Sequence, residues 1–315
     1  MKVVITGGAG LIGSHIADLL VKKNIKKIII IDDFSRGVLT NLSWAKKNGN
    51  LEIIRGSILD SDLLLECFDN ADFIFHQAAI RITQCAKSNR LAHEVMSTGT
   101  FNVAEAAVKS KVKKVIAASS ASIYGQAKFF PTKEDHHSYF DDTLYGATKT
   151  YLEKIFRSFK SMYDLDYVVL RYFNVYGPRM DTVGKYTEVL IRWLECIKNN
   201  FEPIIFGDGS TSMDLIHVKD VAYANILAME KDITDEIINI GTQKETTLKE
   251  LLTLILETNN SSLIPVHKPE RAVNSVQRRL ADIKKAKDIL GFDPKIDLTD
   301  GLKDLSNWYN SKFSK

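Results

Sequence analysis

Tyr145-Gly146-Ala147-Thr148-Lys149 places a phenol and an ammonium four residues apart. In a helix, residues i and i+4 share one face, so both groups can point into the same cleft. A free tyrosine ionises near pH ~10, too high for a base at neutral pH. A fixed cation beside it favours the phenolate and lowers that value. Such a phenolate can take a proton from a hydroxyl while hydride leaves the same carbon. Upstream, the apolar run Val115–Ala118 ends in Ser119-Ser120-Ala121-Ser122. A hydroxyl at the carboxyl end of a strand can bond the reacting oxygen. Hydrogen bonding of these serines to nearby backbone is the alternative use.

The chain opens on a second chemical signal. The run Lys2–Thr6 leads into Gly7-Gly8-Ala9-Gly10-Leu11-Ile12-Gly13, and an amphipathic segment follows. Both Gly8-x-Gly10-x-x-Gly13 and Gly7-x-x-Gly10-x-x-Gly13 are present. Between a strand and a helix, this pattern gives a tight turn, close backbone approach to a pyrophosphate and a helix N-terminus aimed at its charge. A second strand-like run ends in Asp32, 19 residues beyond Gly13. A carboxylate there bonds the adenosine ribose hydroxyls and repels a 2′-phosphate, which favours NAD over NADP. Arg36 is a counter-signal, since a guanidinium in that loop can accept the phosphate.

These groups need a scaffold, and the chain order supplies one. Lys2–Thr6, Lys27–Asp32, Leu51–Arg55, Asp72–His76, Lys113–Ser119 and Tyr167–Tyr172 are short runs rich in Val, Ile and Phe. Segments of helical period, such as Ile12–Lys23, Thr100–Lys109 and Tyr145–Met162, lie between or beside them. The alternation predicts an α/β fold: a doubly wound parallel sheet of Rossmann type, followed by a smaller C-terminal α/β lobe. In the second half of the chain helices are expected over Thr187–Lys198, Asp220–Lys231, from the capping box Thr247-x-x-Glu250 to Leu256, and from Asp282 to the Gly291 stop. The pattern changes near residue 173, so the expected division is 1–172 for the cofactor, with returning segments near 214–241, and 173–315 for substrate.

Composition narrows the class. At 315 residues with 45% hydrophobic and 26% charged, the chain matches a folded, enzyme-sized protein rather than a disordered one. The 42 Lys and Arg are offset by 39 Asp and Glu and are scattered, which argues against a nucleic-acid partner. No apolar run approaches the ~20 residues of a membrane span, and the glycine-rich start is unlike a signal peptide. Cys67, Cys85 and Cys196 show no disulfide or zinc spacing, and His136-His137 beside Glu134-Asp135 lack the spacing of a metal site. A cytoplasmic, metal-free enzyme is expected. His76 and His217 read as structural, and Phe156, Phe159 and Tyr163 as core or a helix-packing face.

Together, Thr6–Ser14, Ser119–Gly125, Tyr145-x-x-x-Lys149 and Arg171-Tyr172-Phe173-Asn174-Val175-Tyr176-Gly177-Pro178-Arg179 resemble the extended short-chain dehydrogenase/reductase family, and within it the nucleotide-sugar epimerases. The likeness runs on through Arg279-Leu280-Ala281-Asp282 to Pro294. It implies Tyr145, Lys149 and Ser120 as catalytic residues. It also implies cofactor contacts from Gly7, Gly10, Leu11, Ile12, Gly13, Asp32, Arg36, Ser57, Ile58, Ala78, Arg81, Tyr145 and Lys149, and substrate contacts from Ser120, Ser122, Asn174, Arg271 and Arg279. Family members commonly dimerise through two helices, here about Ala92–Lys109 and Tyr145–Tyr163.

What the chain lacks narrows the reaction. Dehydrating members of the family carry Asp-Glu, and decarboxylating members a Glu, where this chain has Ala121-Ser122. One reversible oxidation remains: hydride passes from sugar C4 to NAD and returns to the opposite face of a 4-keto intermediate. The expected activity is therefore an NAD-dependent UDP-sugar 4-epimerase. A uronic-sugar nucleotide epimerase, a net reductase or dehydrogenase, and a non-catalytic NAD-sensing scaffold are the alternatives. Three departures from the family pattern stand out. Met96 replaces an Asn near the nicotinamide. Met213 replaces an Arg that meets the substrate diphosphate, a loss that Arg192, Lys185 or Arg278 could make good. Arg279 occupies a position lining the sugar pocket, where it could fork onto a uronate carboxylate.

Overall fold

Four consecutive isoleucines, Ile28 to Ile31, are all buried, and a strand buried on both faces belongs inside a parallel sheet covered by helices. The structure, a computed structural model, describes residues 1–182, 188–269 and 276–313. Strands β1 (Lys2–Thr6), β2 (Lys27–Asp32), β3 (Leu51–Arg55), β4 (Phe73–His76), β5 (Lys114–Ser120) and β6 (Tyr167–Tyr172) join Glu236–Ile240 in a seven-stranded sheet. All its pairings are parallel. The order is Glu236–Ile240, β6, β5, β4, β1, β2, β3. From β1 the chain winds one way through β2 and β3, then returns to the other side as β4. That reversal opens a crevice beyond the carboxyl ends of β1 and β4, where doubly wound sheets bind ligands.

Register places the sequence signals there. Thr6 pairs with Ile31 on one side and His76 on the other, so the glycine loop, Asp32 and Gln77 emerge together. His76 is a buried structural group, bonded to the hydroxyls of Thr6 at 2.9 Å and Thr100 at 3.3 Å. Helices pack on both faces, with Ile16, Leu20 and Ala224 on one and Leu64, Val103 and Phe156 on the other. Each of the Ile, Leu, Val and Phe side chains among them contributes roughly 1.5–3 kcal/mol on leaving water. Phe156 and Phe159 thus belong to the core, whereas Tyr163 is half exposed.

Past β6 the chain leaves the sheet. Asn174–Tyr176 pairs with Leu215–His217, and Ser212–Met213 lies between Thr246–Thr247 and Arg278–Arg279. Helices Val189–Lys198, Leu248–Thr258 and Leu298–Phe313 enclose a separate core around Trp193, Leu251, Leu302 and Tyr309. Asp214 ties the segments together, accepting amide bonds from Thr242, Gln243 and Ala281. The Thr247–Glu250 capping box forms as expected. The turn of helix ending at Gly291 begins at Lys284 rather than Asp282, because Asp282 is used as a side-chain acceptor for the Lys284 amide. The helix expected from Thr187 is described from Val189, its first residue lying outside the described segments.

Candidate active site

The phosphate loop is shaped by two backbone contacts that exclude side chains. Gly7 has φ +68°, and a Cβ there would lie 2.7 Å from the backbone N and Cα of Ala78. A Cβ on Gly13 would lie 2.5 Å from the Gly7 carbonyl oxygen. The loop can therefore tuck beneath the start of helix α1 (Leu11–Lys22), whose N-terminal amides face a cavity of about 380 Å³. Asp32 closes one end. Its two oxygens accept the amides of Ala9 and Phe34, each at 2.9 Å, yet burial still pushes its carboxyl above the usual range.

Gly7, Gly10, Leu11, Ile12, Gly13, Asp32, Arg36, Ser57, Ile58, Ala78, Arg81 and Tyr145 all lie on this cavity's wall. Asn41 and Asp181, which carried no sequence signal, join them. Arg36 is paired with Asp181 at 3.1 Å, so the guanidinium that argued for a 2′-phosphate already holds a carboxylate. A glycine cradle that a Cβ would fill, a helix N-terminus and a ribose-facing acid fit a dinucleotide. Met96 turns away from the cavity into a small cluster with Ile80, Cys85 and Ala92, its sulfur accepting the Ile80 amide at 3.4 Å. Its neighbour Val95 lines the wall instead.

Tyr145 sits in the first turn of a helix spanning Leu144–Tyr163, which Thr143 caps through the Gly146 amide at 3.0 Å. Its phenol is hydrogen-bonded to Ser120, at the end of β5. Burial pushes the phenol up to about 12, while the Ser120 bond and the charges of Arg279 and Arg36 pull it back. Lys149 departs from the sequence expectation. Its ammonium does not enter the cleft but lies buried behind Tyr145, 5.8 Å from the ring centroid. There it donates to the Ala118 carbonyl at 2.6 Å, because a buried cation needs an acceptor. Burial draws Lys149 down to about 8, and it remains mostly protonated at neutral pH.

Tyr145 also lines a second cavity of about 370 Å³, which shares Arg81, Val175, Met180 and Glu188 with the first. The phenol thus stands at the junction of the two. Ser120, Ser122, Asn174, Arg192, Met213 and Arg279 lie on the second wall. The Asn174 Oδ1 and Arg279 Nε are buried with no partner among the described residues. Arg279 lies in register with Met213 on the adjoining strand, so a cation stands beside the position where the family arginine is missing. Arg278 cannot fill that role, since Glu245 holds it at 2.7 and 2.8 Å away from the cavity. Arg271 and Lys185 lie outside the described residues. The sole carboxylate on the described wall is Glu188, 3.9 Å from Arg81.

The chain belongs to the NAD dependent epimerase/dehydratase family, whose model matches residues 3–241. It is 35% identical over 309 residues to a putative UDP-glucose 4-epimerase of Methanocaldococcus jannaschii, covering 97% of each chain. It is also 35% identical over 325 residues to a UDP-N-acetyl-alpha-D-glucosaminuronate decarboxylase of Bacillus cytotoxicus, covering 98% of this chain and 97% of that one. Among solved structures, the UDP-N-acetylglucosamine 4-epimerase of Methanobrevibacter ruminantium M1, in complex with UDP-N-acetylmuramic acid, superposes with a TM-score of 0.94. It shares 34% identity, over 99% of both chains.

Proposed function

We propose that this chain is an NAD-dependent UDP-sugar 4-epimerase. The observation that carries the proposal is a serine-bonded phenol at the junction of a dinucleotide cradle and a second cavity, with Ala121 and Ser122 beside it in place of any acid. NAD bound in the cradle supplies the hydride acceptor and donor. Tyr145 takes the proton from the C4 hydroxyl and later returns it, while Ser120 holds the oxygen in line. Lys149 keeps a positive charge close to the phenol, which favours its ionised form. Asn174, Ser122, Arg279 and, outside the described residues, Arg271 hold the nucleotide sugar. Residues 1–172, with the returning 214–241, serve the cofactor, and the rest of 173–315 serves the substrate.

The relative that decarboxylates does not change this reading, because the sequence has no carboxylate at position 121 or 122. Arg279 favours a second reading. Its orphaned Nε on the sugar-side wall suits a carboxylate on the sugar, as in a uronate. A homodimer through the exposed faces around Phe101 and Tyr151 fits the apolar hollow between those helices. Three unpaired thiols suit a cytoplasmic setting, and among the described residues no helix is long and apolar enough to cross a membrane.

The test is incubation of purified protein with UDP-glucose, UDP-N-acetylglucosamine or UDP-glucuronate, followed by proton NMR. At least one should reach an equilibrium of C4 epimers with no net NADH. Accumulation of NADH without an epimer would reject epimerisation in favour of a dehydrogenase.

A further inference from the structure

Behind Tyr145 and Lys149, outside both cavities, lies a buried ionic network. Glu153 continues the series 145, 149, 153 along one face of the Leu144–Tyr163 helix. Its side chain is 4% exposed. Its oxygens accept Arg171 Nε at 2.8 Å, Arg171 Nη2 at 2.7 Å and Ser119 Oγ at 2.6 Å. Arg171, on β6, also donates to the Tyr124 hydroxyl at 2.7 Å and the Glu134 carbonyl at 2.8 Å. Three consecutive β5 residues therefore grip three successive turns of one helix. Ala118 takes Lys149, Ser119 takes Glu153 and Ser120 takes Tyr145.

A buried ion pair is a weak source of stability, since apolar residues of similar shape often do as well. Its location gives it another use. The groups acting on Lys149 are Tyr145 and Glu153 from its own helix, His76 from β4, Cys85 from the Ile82–Cys85 helix and the Ala118 carbonyl from β5. Burial keeps His76 and the Cys85 thiol neutral. Among the described residues, Glu153 is thus the standing negative charge that opposes deprotonation of Lys149.

We infer that Glu153, clamped by Arg171, is a positioning residue for the catalytic pair: through Ser119 it fixes the end of β5 that presents Ser120 to Tyr145, and its charge offsets that of Arg171 beside the Lys149 ammonium. The inference rests on Tyr145 and Lys149 being the proton-transfer pair.

Two variants separate charge from geometry. Glu153→Gln keeps the shape and an acceptor for Ser119 but removes the charge and leaves Arg171 unbalanced. The basic limb of the kcat–pH profile should move down by about one unit, lowering kcat about fivefold at pH 8 with little change in KM. Glu153→Asp should restore the limb. The double variant E153L/R171M removes both charges and the grip together. Its limb should lie close to that of the unmodified protein, with kcat about tenfold lower across the profile. Melting temperature and bound NAD report folding in each case. A folded E153Q whose limb coincides with the unmodified protein overturns the charge role, and undiminished kcat in the double variant overturns the positioning role. If E153Q does not fold, the double variant decides both roles, since a basic limb displaced by about a unit with both charges gone would overturn the offset. Full turnover in Tyr145→Phe would instead remove the underlying assignment, whatever Glu153 does.

Discussion

Replacing Gly13 with Ala should empty the cofactor cradle while leaving the fold in place. The added Cβ would lie 2.5 Å from the Gly7 carbonyl oxygen and 2.7 Å from the Gly8 Cα. Ordinary contact begins at 3.4 Å, so backbone must give way by about 0.9 Å (3.4 minus 2.5). The neighbour that must move is the loop meant to touch the pyrophosphate. A displacement near 1 Å carries amide bonds to a phosphate beyond useful length, and each charge-assisted bond is worth about 1.5–3 kcal/mol. Losing one or two weakens NAD binding about 100-fold. The assay is nicotinamide content after gel filtration, followed by calorimetric titration of the stripped protein. Gly291→Ala is the control: φ is +69° there and the Cβ meets nothing within 4 Å, so it should lower stability by about 1 kcal/mol without touching NAD. Unchanged NAD content and affinity in G13A, with an unchanged melting temperature, would refute the geometric argument.

Three other outcomes are expected. Tyr145→Phe should lower kcat by 10³-fold or so while bound NAD and melting temperature hold, measured by coupled assay and absorbance. His76 is held near 3 by burial against an ordinary 6.5, so its contribution is complete above pH 6.5 and is lost as pH falls through the interval down to 3. Urea unfolding at pH 7.5 and 5 should show a loss of about 2 kcal/mol from this group, absent in His76→Gln. The proposed homodimer is tested by Phe101→Glu, on an exposed ring of the apolar hollow: light scattering should read a dimer for the unmodified chain and a folded monomer for the variant.

Much of this architecture was legible in the chain because its signals are local. Isoleucine runs, the glycine turn and the Tyr-Lys spacing each act within a few residues, and the strand ends fall within one residue of expectation. The return of the chain near 214–241 was expected, but its pairing was not: the strand Glu236–Ile240 begins 64 residues after β6 ends (172 to 236), so nothing local announces its register there. The C-terminal helix Leu298–Phe313 carried no signal at all, its apolar stripe interrupted by Gly301, Ser306 and Asn307. Lys149 was misplaced for a different reason. Spacing shows which face a side chain leaves from, but the Ala118 carbonyl that captures it comes from another strand. Asp181 and Glu153 escaped notice likewise, since each takes its meaning from an arginine distant in sequence, Arg36 and Arg171.

The loop that follows Pro178 is tied over the dinucleotide cradle on both sides, twice to the cofactor-binding half and once to the C-terminal helix. Arg179 reaches Asp18 at 2.6 Å, Asp181 holds Arg36 at 3.1 Å, and Lys312 meets the Thr182 hydroxyl at 3.0 Å. Ties that must part before a nucleotide leaves the cradle should slow its release, and the nicotinamide retained through gel filtration measures that directly. A catalyst that carries its own redox partner, and hands back each electron pair within one turnover, is insulated from swings in the surrounding NAD to NADH ratio.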